Sequence, residues 1–130
     1  MDPTFLTFDQ MLRIHADQVE RYGGSHGLRD QGAAESAVAQ PAASFGGTYL
    51  HADLFEMAAA YLFHLVQNHA FIDGNKRVGA VAADVFLALN GLALEPPEDA
   101  YEALVLKVAR DQAEKPEITA FFRAHGTPSK

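Results

Sequence analysis

The chain has 130 residues, 48% apolar and 21% charged, enough to bury a core without metal or disulfide staples and too hydrophobic to stay disordered. Ten basic against seventeen acidic residues give a formal charge of −7, the wrong sign for direct nucleic-acid binding, and the absence of cysteine excludes disulfides and thiolate chemistry. The N-terminus lacks the basic start and apolar core of a signal peptide and no stretch approaches membrane-spanning length, so the expectation is one cytoplasmic domain over residues 1–130 with no membrane partner.

Apolar spacing is helical nearly throughout. Phe8, Met11, Leu12, His15, Val19 and Tyr22 form one stripe behind a Thr7 N-cap, and Gly23-Gly24 stops that helix. A short second helix opens after Asp30, runs through Ala33 to Ala39 and ends at Pro41. The segment from Ser44 to Leu50, where Gly46-Gly47 stands between Phe45 and Tyr49, is the one β signal and reads as a small hairpin-like flap.

Asp53 then caps the most apolar helix. Leu54, Met57, Ala58, Tyr61, Leu62, Leu65 and Val66 keep three-and-four spacing, while Phe55, Ala59, Ala60 and Phe63 make the other side apolar too, which puts this helix at the centre of the fold. The pattern halts around Phe71 to Asp73, with His69 continuing the buried stripe by position. It resumes through Val78, Val81, Ala82, Val85, Phe86 and Leu89 until Asn90-Gly91, and the small residues Gly79, Ala80, Ala82, Ala83 and Ala88 let this helix approach its neighbours closely. Beyond Pro96-Pro97, Tyr101, Leu104, Val105, Val108 and Ala109 mark a fifth helix, and Pro116 to His125 a sixth. The expected class is all-α, with about six helices and one flap.

Chemistry concentrates in the run His69-Ala70-Phe71-Ile72-Asp73-Gly74-Asn75-Lys76-Arg77. If one buried helix ends near Phe71 and another begins near Gly74, the N–H groups of Gly74, Asn75 and Lys76 point out of a helix N-terminus, where the dipole favours an anion. Lys76 and Arg77 add two positive charges there, so a nucleotide phosphate is the natural ligand. Asp73 would repel that phosphate unless a Mg²⁺ bridges the two. At the loop opening, His69 is of the residue type that takes a proton from a hydroxyl near neutral pH, and Phe71 anchors the loop to the core. His64 and His69 stand five apart, on different faces of a helix, which argues against a zinc pair. His15 reads as core or boundary, His26 and His51 as loop residues, and His125 as suited to a helix C-terminus.

The order of residues in this run resembles the motif of the Fic family, His-x-Phe-x-Asp/Glu-Gly-Asn-Gly/Lys-Arg, and is most similar to its Doc (death-on-curing) branch. Tyr22-Gly23-Gly24, Gly27-Leu28-Arg29-Asp30, Glu35-Ser36-Ala37, Pro41, Phe45 and Leu87-Ala88-Leu89-Asn90-Gly91 also stand where Doc-like sequences carry similar residues. The resemblance implies a Fic fold, with His69 as general base, Asp73 as Mg²⁺ ligand, and Gly74, Asn75, Lys76 and Arg77 as the phosphate-binding loop. Fic enzymes that transfer AMP from ATP carry a second Gly where this chain has Lys76, and a further Arg where it has Ala80. Doc-like proteins share both departures. In that branch the resemblance implies a reversed nucleotide, with the γ-phosphate facing the acceptor, and hence an ATP-dependent protein kinase. Its implied target is a Thr/Ser hydroxyl of translation elongation factor Tu, which blocks translation.

The pattern Ser/Thr-x-x-x-Glu-Gly/Asn of the inhibitory Fic helix does not occur in the chain. The resemblance therefore implies a toxin of a type II toxin–antitoxin system, restrained in trans by a Phd-like antitoxin. Two alternatives use the same residues: AMP transfer with the α-phosphate in line, and a non-catalytic module that keeps the loop only to hold a partner.

Overall fold

A computed structural model describes residues 2–129. Its first helix, α1 (Phe8–Tyr22), starts where the spacing predicts, because Thr7 and Gln10 close a reciprocal cap: Gln10 N–H donates to the Thr7 hydroxyl (3.0 Å) and Thr7 N–H to the Gln10 amide oxygen (2.8 Å). Met11, His15 and Val19 are buried as the stripe requires, but Tyr22 is 68% exposed, so the stripe leaves the core before its last member. Asp30 caps α2 (Gln31–Ala39) by accepting from Ala33 N–H at 3.0 Å. A 3-10 turn, Gln40–Ala42, absorbs Pro41. Strands β1 (Ser44–Phe45) and β2 (Thr48–Tyr49) then pair antiparallel around Gly46-Gly47 and form the expected flap.

The two central helices are α3 (Leu54–Gln67), capped by Asp53 through Glu56 N–H at 2.9 Å, and α4 (Asn75–Leu89). Residues Met57 to Leu62 of α3 are buried without a break, as a helix apolar on all sides requires. The helices approach at Gly79, where a Cβ would sit 2.8 Å from Val66 Cγ2 and 3.2 Å from the Leu62 carbonyl oxygen. Tyr61, Phe71, Phe86 and Phe122 are among the largest fully buried side chains, each stabilising by about 1.5–3 kcal/mol through removal from water. Tyr61 keeps its hydroxyl satisfied by accepting from Leu6 N–H at 2.9 Å, while burial pushes its pKa up to about 12.

Helices α5 (Glu98–Ala109) and α6 (Lys115–His125) complete the six, with Pro116 in the first turn of α6. One β element was not foreseen. Strand β3 (Leu92–Leu94) pairs antiparallel with β4 (Gly126–Pro128), Ala93 opposite Thr127. Three residues carry no readable alternation, and the partner strand lies beyond α5 and α6 in sequence, so the flap is not the sole β structure.

Helix α3 also ends earlier than its apolar pattern. Its last turn closes with Asn68 N–H on the His64 carbonyl (2.9 Å), and the Asn68 side chain donates to the Ala33 carbonyl at 3.0 Å. His69 therefore stands outside the helix, exposed and with φ 48°, a correction to its placement on the buried stripe. The physical reason is competition from another loop. Arg29 and Asp30 N–H both donate to the Ala70 carbonyl (2.8 and 3.1 Å), Ile72 N–H donates to Gly27 (3.1 Å), and Leu28 forms an antiparallel bridge with Phe71. These bonds replace the helical ones the backbone would otherwise make. Among the described residues no helix is long and apolar enough to cross a membrane.

Candidate active site

Helix α4 begins at a glycine. Gly74 is the N-cap with φ 82° and ψ 13°, a left-handed conformation with no side-chain cap. The first closed turn is Val78 N–H on the Gly74 carbonyl, 3.0 Å. Asn75, Lys76 and Arg77 are thus the residues whose N–H groups precede intrahelical pairing and face the anion side of the dipole. Gly74 N–H is not among the free donors, because it donates to Asp73 Oδ1 at 2.8 Å.

Asp73 is exposed, and its second oxygen accepts from Ser25 N–H at 3.3 Å. Two backbone donors from two loops therefore aim one carboxylate. The approach needs glycine opposite: a Cβ on Gly24, which has φ 119°, would lie 2.6 Å from Asp73 Oδ2. Beneath it, His15 is 4% exposed, stacks on Phe71 with ring centroids 3.8 Å apart, and donates from Nε2 to the Asp73 carbonyl at 2.8 Å. That bond assigns the proton to Nε2. Phe71, 2% exposed, is the buried anchor the sequence suggested.

The side chain of Asn75 does not face the mouth. Its Oδ1 accepts from Phe71 N–H and its Nδ2 donates to the Phe71 carbonyl, both at 3.0 Å. Asn75 offers a ligand its backbone N–H while its side chain closes the loop. Arg77 Nη2 donates to the Gly23 carbonyl at 2.9 Å and the guanidinium lies 5.8 Å from the exposed Tyr22 ring, whereas Lys76 is exposed at the mouth. His69 has its carbonyl held by Arg29 Nη2 at 2.7 Å, which secures a left-handed conformation costing about 1–2 kcal/mol for a residue with a Cβ.

All six residues singled out by sequence come together. His69, Asp73, Gly74, Asn75, Lys76 and Arg77 line one cleft of about 590 Å³, joined by Arg110 at the end of α5. Three cations and one carboxylate thus line the same cleft in a chain of net charge −7. A second, more apolar cleft of about 480 Å³ shares Lys76, Arg77 and Leu106 and continues along Ala80, Tyr101 and Val105. Burial holds the Asp84 carboxyl on its wall above the usual carboxylate range.

Among the described residues no group of three or more His, Asp or Glu could hold a metal by itself. Asp73 alone fits a hard cation only if the other ligands are waters and phosphate oxygens, which is the ligation Mg²⁺ favours. Sequence reasoning left His15, Ser25, Arg29 and Arg110 without a role in the loop. His15 carried the one usable signal, a histidine on an otherwise apolar stripe.

The profile of the Fic/DOC family matches residues 5–87. Among characterised proteins, the chain is 40% identical to a Toxin Doc of Mycolicibacterium smegmatis over 101 residues, covering 76% of this chain and 78% of that one. It is 34% identical over 84 residues to a protein named Protein kinase doc, of Escherichia phage P1, covering 65% and 66% of the two chains. The Gly74 cap, the aimed Asp73 carboxylate, Lys76 and Arg77 lie within the matched residues 5–87, and the chain belongs to the Fic/DOC family, on the side of its Doc toxins.

Proposed function

We propose that the chain acts as a one-domain Doc-type toxin of the cytoplasm, a phosphotransferase that moves the γ-phosphoryl group of ATP to a Thr/Ser hydroxyl of elongation factor Tu and so blocks translation. One hydrophobic cluster built from all six helices supports the single domain. The kinase name of the phage relative supports the reaction type.

The observation that carries the choice of phosphate is the apolar cleft along Ala80. A nucleoside lying there, with its phosphates reaching Lys76 and Arg77 at the shared edge, presents its terminal phosphate toward His69 and Asp73. An Arg at position 80 would occupy the space that Ala80 leaves open between Lys76, Arg77 and the apolar wall of Tyr101 and Val105. In this reading Lys76 and Arg77 hold phosphate oxygens, and the N–H groups of Asn75 and Lys76 complete the anion site. Gly74 lets the phosphates approach the backbone, and Asp73 would hold the Mg²⁺ together with phosphate oxygens. Bound there, Mg²⁺ supplies charge neutralisation and orientation of the phosphates.

His69 accepts the proton of the acceptor hydroxyl. The acceptor oxygen bonds to the terminal phosphorus as the bond from that phosphorus to the β-phosphate oxygen breaks, leaving ADP. Positioning and electrostatics supply most of the rate in such a transfer. A Phd-like antitoxin restrains the protein in trans.

Incubation of the purified chain with elongation factor Tu and ATP labelled at either the α or the γ position tests the reading. γ-Label on the target is expected. α-Label would mean AMP transfer by the same residues, and no label on any acceptor, with growth arrest intact in His69→Ala, would mean a binding module.

A further inference from the structure

Neither reacting side chain of the loop is held only by its own motif. The His69 carbonyl is clasped by Arg29 Nη2 at 2.7 Å, and the Asp73 carbonyl by His15 Nε2 at 2.8 Å. The two clasps come from different elements, the loop preceding α2 and the middle of α1. Within the loop, only Asn75 bridges the segment between them, through both backbone groups of Phe71.

Each clasp controls a different end of the loop. His69 departs from helical geometry at φ 48°, so its ring direction depends on a backbone conformation that is costly for a Cβ-bearing residue. Arg29 supplies the restraint from two atoms of one residue, its guanidinium on the His69 carbonyl and its N–H on the Ala70 carbonyl at 2.8 Å. His15 lies under the other end. Its ring stacks on Phe71 and reaches toward Gly74, with Cδ2 and Nε2 each 3.6 Å from where a Gly74 Cβ would be. A shift of that ring moves the peptide joining Asp73 to Gly74, and with it the carboxylate that Gly74 N–H orients.

We infer that Arg29 and His15 are positioning residues that divide the reaction between them: Arg29 aims the His69 imidazole at the acceptor proton, and His15 aims Asp73 and the anion mouth at the metal-bound phosphates. The inference rests on the nucleotide reading above. It separates two quantities that a general weakening of the fold would change together. Loss of the Arg29 clasp lowers turnover and leaves nucleotide affinity intact, whereas loss of the His15 bond lowers affinity for the Mg²⁺–nucleotide complex.

The test uses the full chain and measures binding of Mg²⁺ with a non-hydrolysable ATP analogue by calorimetry, thermal melting, and growth arrest on induced expression. Arg29→Met should bind the analogue within about twofold of wild type yet lose growth arrest, and Arg29→Lys, which keeps a donor, should recover part of it. His15→Phe keeps the stack on Phe71 but not the donor, and should weaken binding by roughly tenfold, the scale at which residues supporting a metal ligand act. His15→Gln restores a donor and should regain part of that loss; it also decides the matter if the Phe variant does not fold. Wild-type affinity in a folded His15→Phe, or weakened affinity in Arg29→Met, overturns the division of roles. Wild-type protein that binds no Mg²⁺–nucleotide overturns the nucleotide reading itself, and the two failures are distinguishable.

Discussion

Asn75 ties the loop before α4 into a closed ring, accepting from the N–H of Phe71 and donating to the carbonyl of the same residue, both at 3.0 Å. A carboxamide is the side chain that can do both at once, since it carries a donor and an acceptor on one planar group. Asp would lose the donor, and Ala would leave both backbone groups of a buried residue without their partner.

Asn75→Ala is therefore expected to lower stability by about 1–3 kcal/mol, the usual penalty for part-buried polar groups left unpaired. A thermal melt reads this directly. An unchanged midpoint would mean that water replaces the amide without loss and that the ring is not a structural element of the loop.

Asp73→Asn keeps the size of the side chain and an oxygen for Gly74 N–H, gives up the longer, exposed bond from Ser25 N–H at 3.3 Å, and removes the charge. The fold should be retained, with a melting curve like that of wild type, while phosphoryl transfer and Mg²⁺-dependent nucleotide binding are lost. Transfer at the wild-type rate would take Asp73 off the metal. His69→Ala, which removes the proposed base from an exposed position, should bind nucleotide normally and abolish transfer, and normal transfer would exclude it as the base.

Ala80 lines the apolar cleft next to Lys76 and Arg77. Ala80→Arg is expected to weaken nucleotide binding by about tenfold, about 1.4 kcal/mol, and to reduce γ-label transfer in proportion. Titration of the variant with Mg²⁺ and ATP measures the first effect. Binding as tight as wild type would mean that the nucleoside does not use this cleft.

Away from the site, Lys115 Nζ at the start of α6 donates to His64 Nε2 (3.3 Å) on α3 and to His51 Nε2 (3.5 Å). Burial first, then the Lys115 and His51 charges, push the His64 pKa down to about 4, and burial and Lys115 lower that of His51. The unfolded chain takes up these protons at a higher pH than the folded one, so stability rises with pH across the window from about 4 to 6.5. Stability is complete above 6.5 and declines as pH falls toward 4. Because the His64 ring is only half-buried, the loss is about 1–2 kcal/mol after allowing for solvent screening. Chemical denaturation at a series of pH values measures it. Lys115→Met should make the dependence shallower without abolishing it, since burial remains the larger cause, and a steeper dependence in that variant would contradict the assignment.

How much of this was legible in the sequence follows from how far apart the interacting groups are. Thr7 with Gln10, Asp30 with Ala33 and Asp53 with Glu56 are three residues apart, so caps and helix starts could be read from spacing alone. The same locality put Asp73, Gly74, Lys76 and Arg77 at one helix N-terminus, where the structure brings them together. The close approach at Gly79 was anticipated for a related reason: small residues announce that backbones meet, though not which backbones.

What lay beyond the sequence was each decision made between distant segments. His15 and Asp73 are 58 residues apart and Arg29 and His69 are 40 apart, and nothing in the spacing of either residue says which carbonyl it will find. The end of α3 belongs to the same class. Its apolar pattern runs on past Gln67, yet the backbone of 69–72 pairs with 27–30 instead. Strands β3 and β4, too short to show a period, exist only because α5 and α6 return the chain to that edge. Sequence by itself determined the family, the helices and which residues gather at the α4 N-terminus, because those depend on short-range spacing and residue chemistry. The tertiary structure decided where the groups point, because hydrogen bonds between distant loops, satisfied only in the packed state, set the backbone conformation at His69 and Asp73.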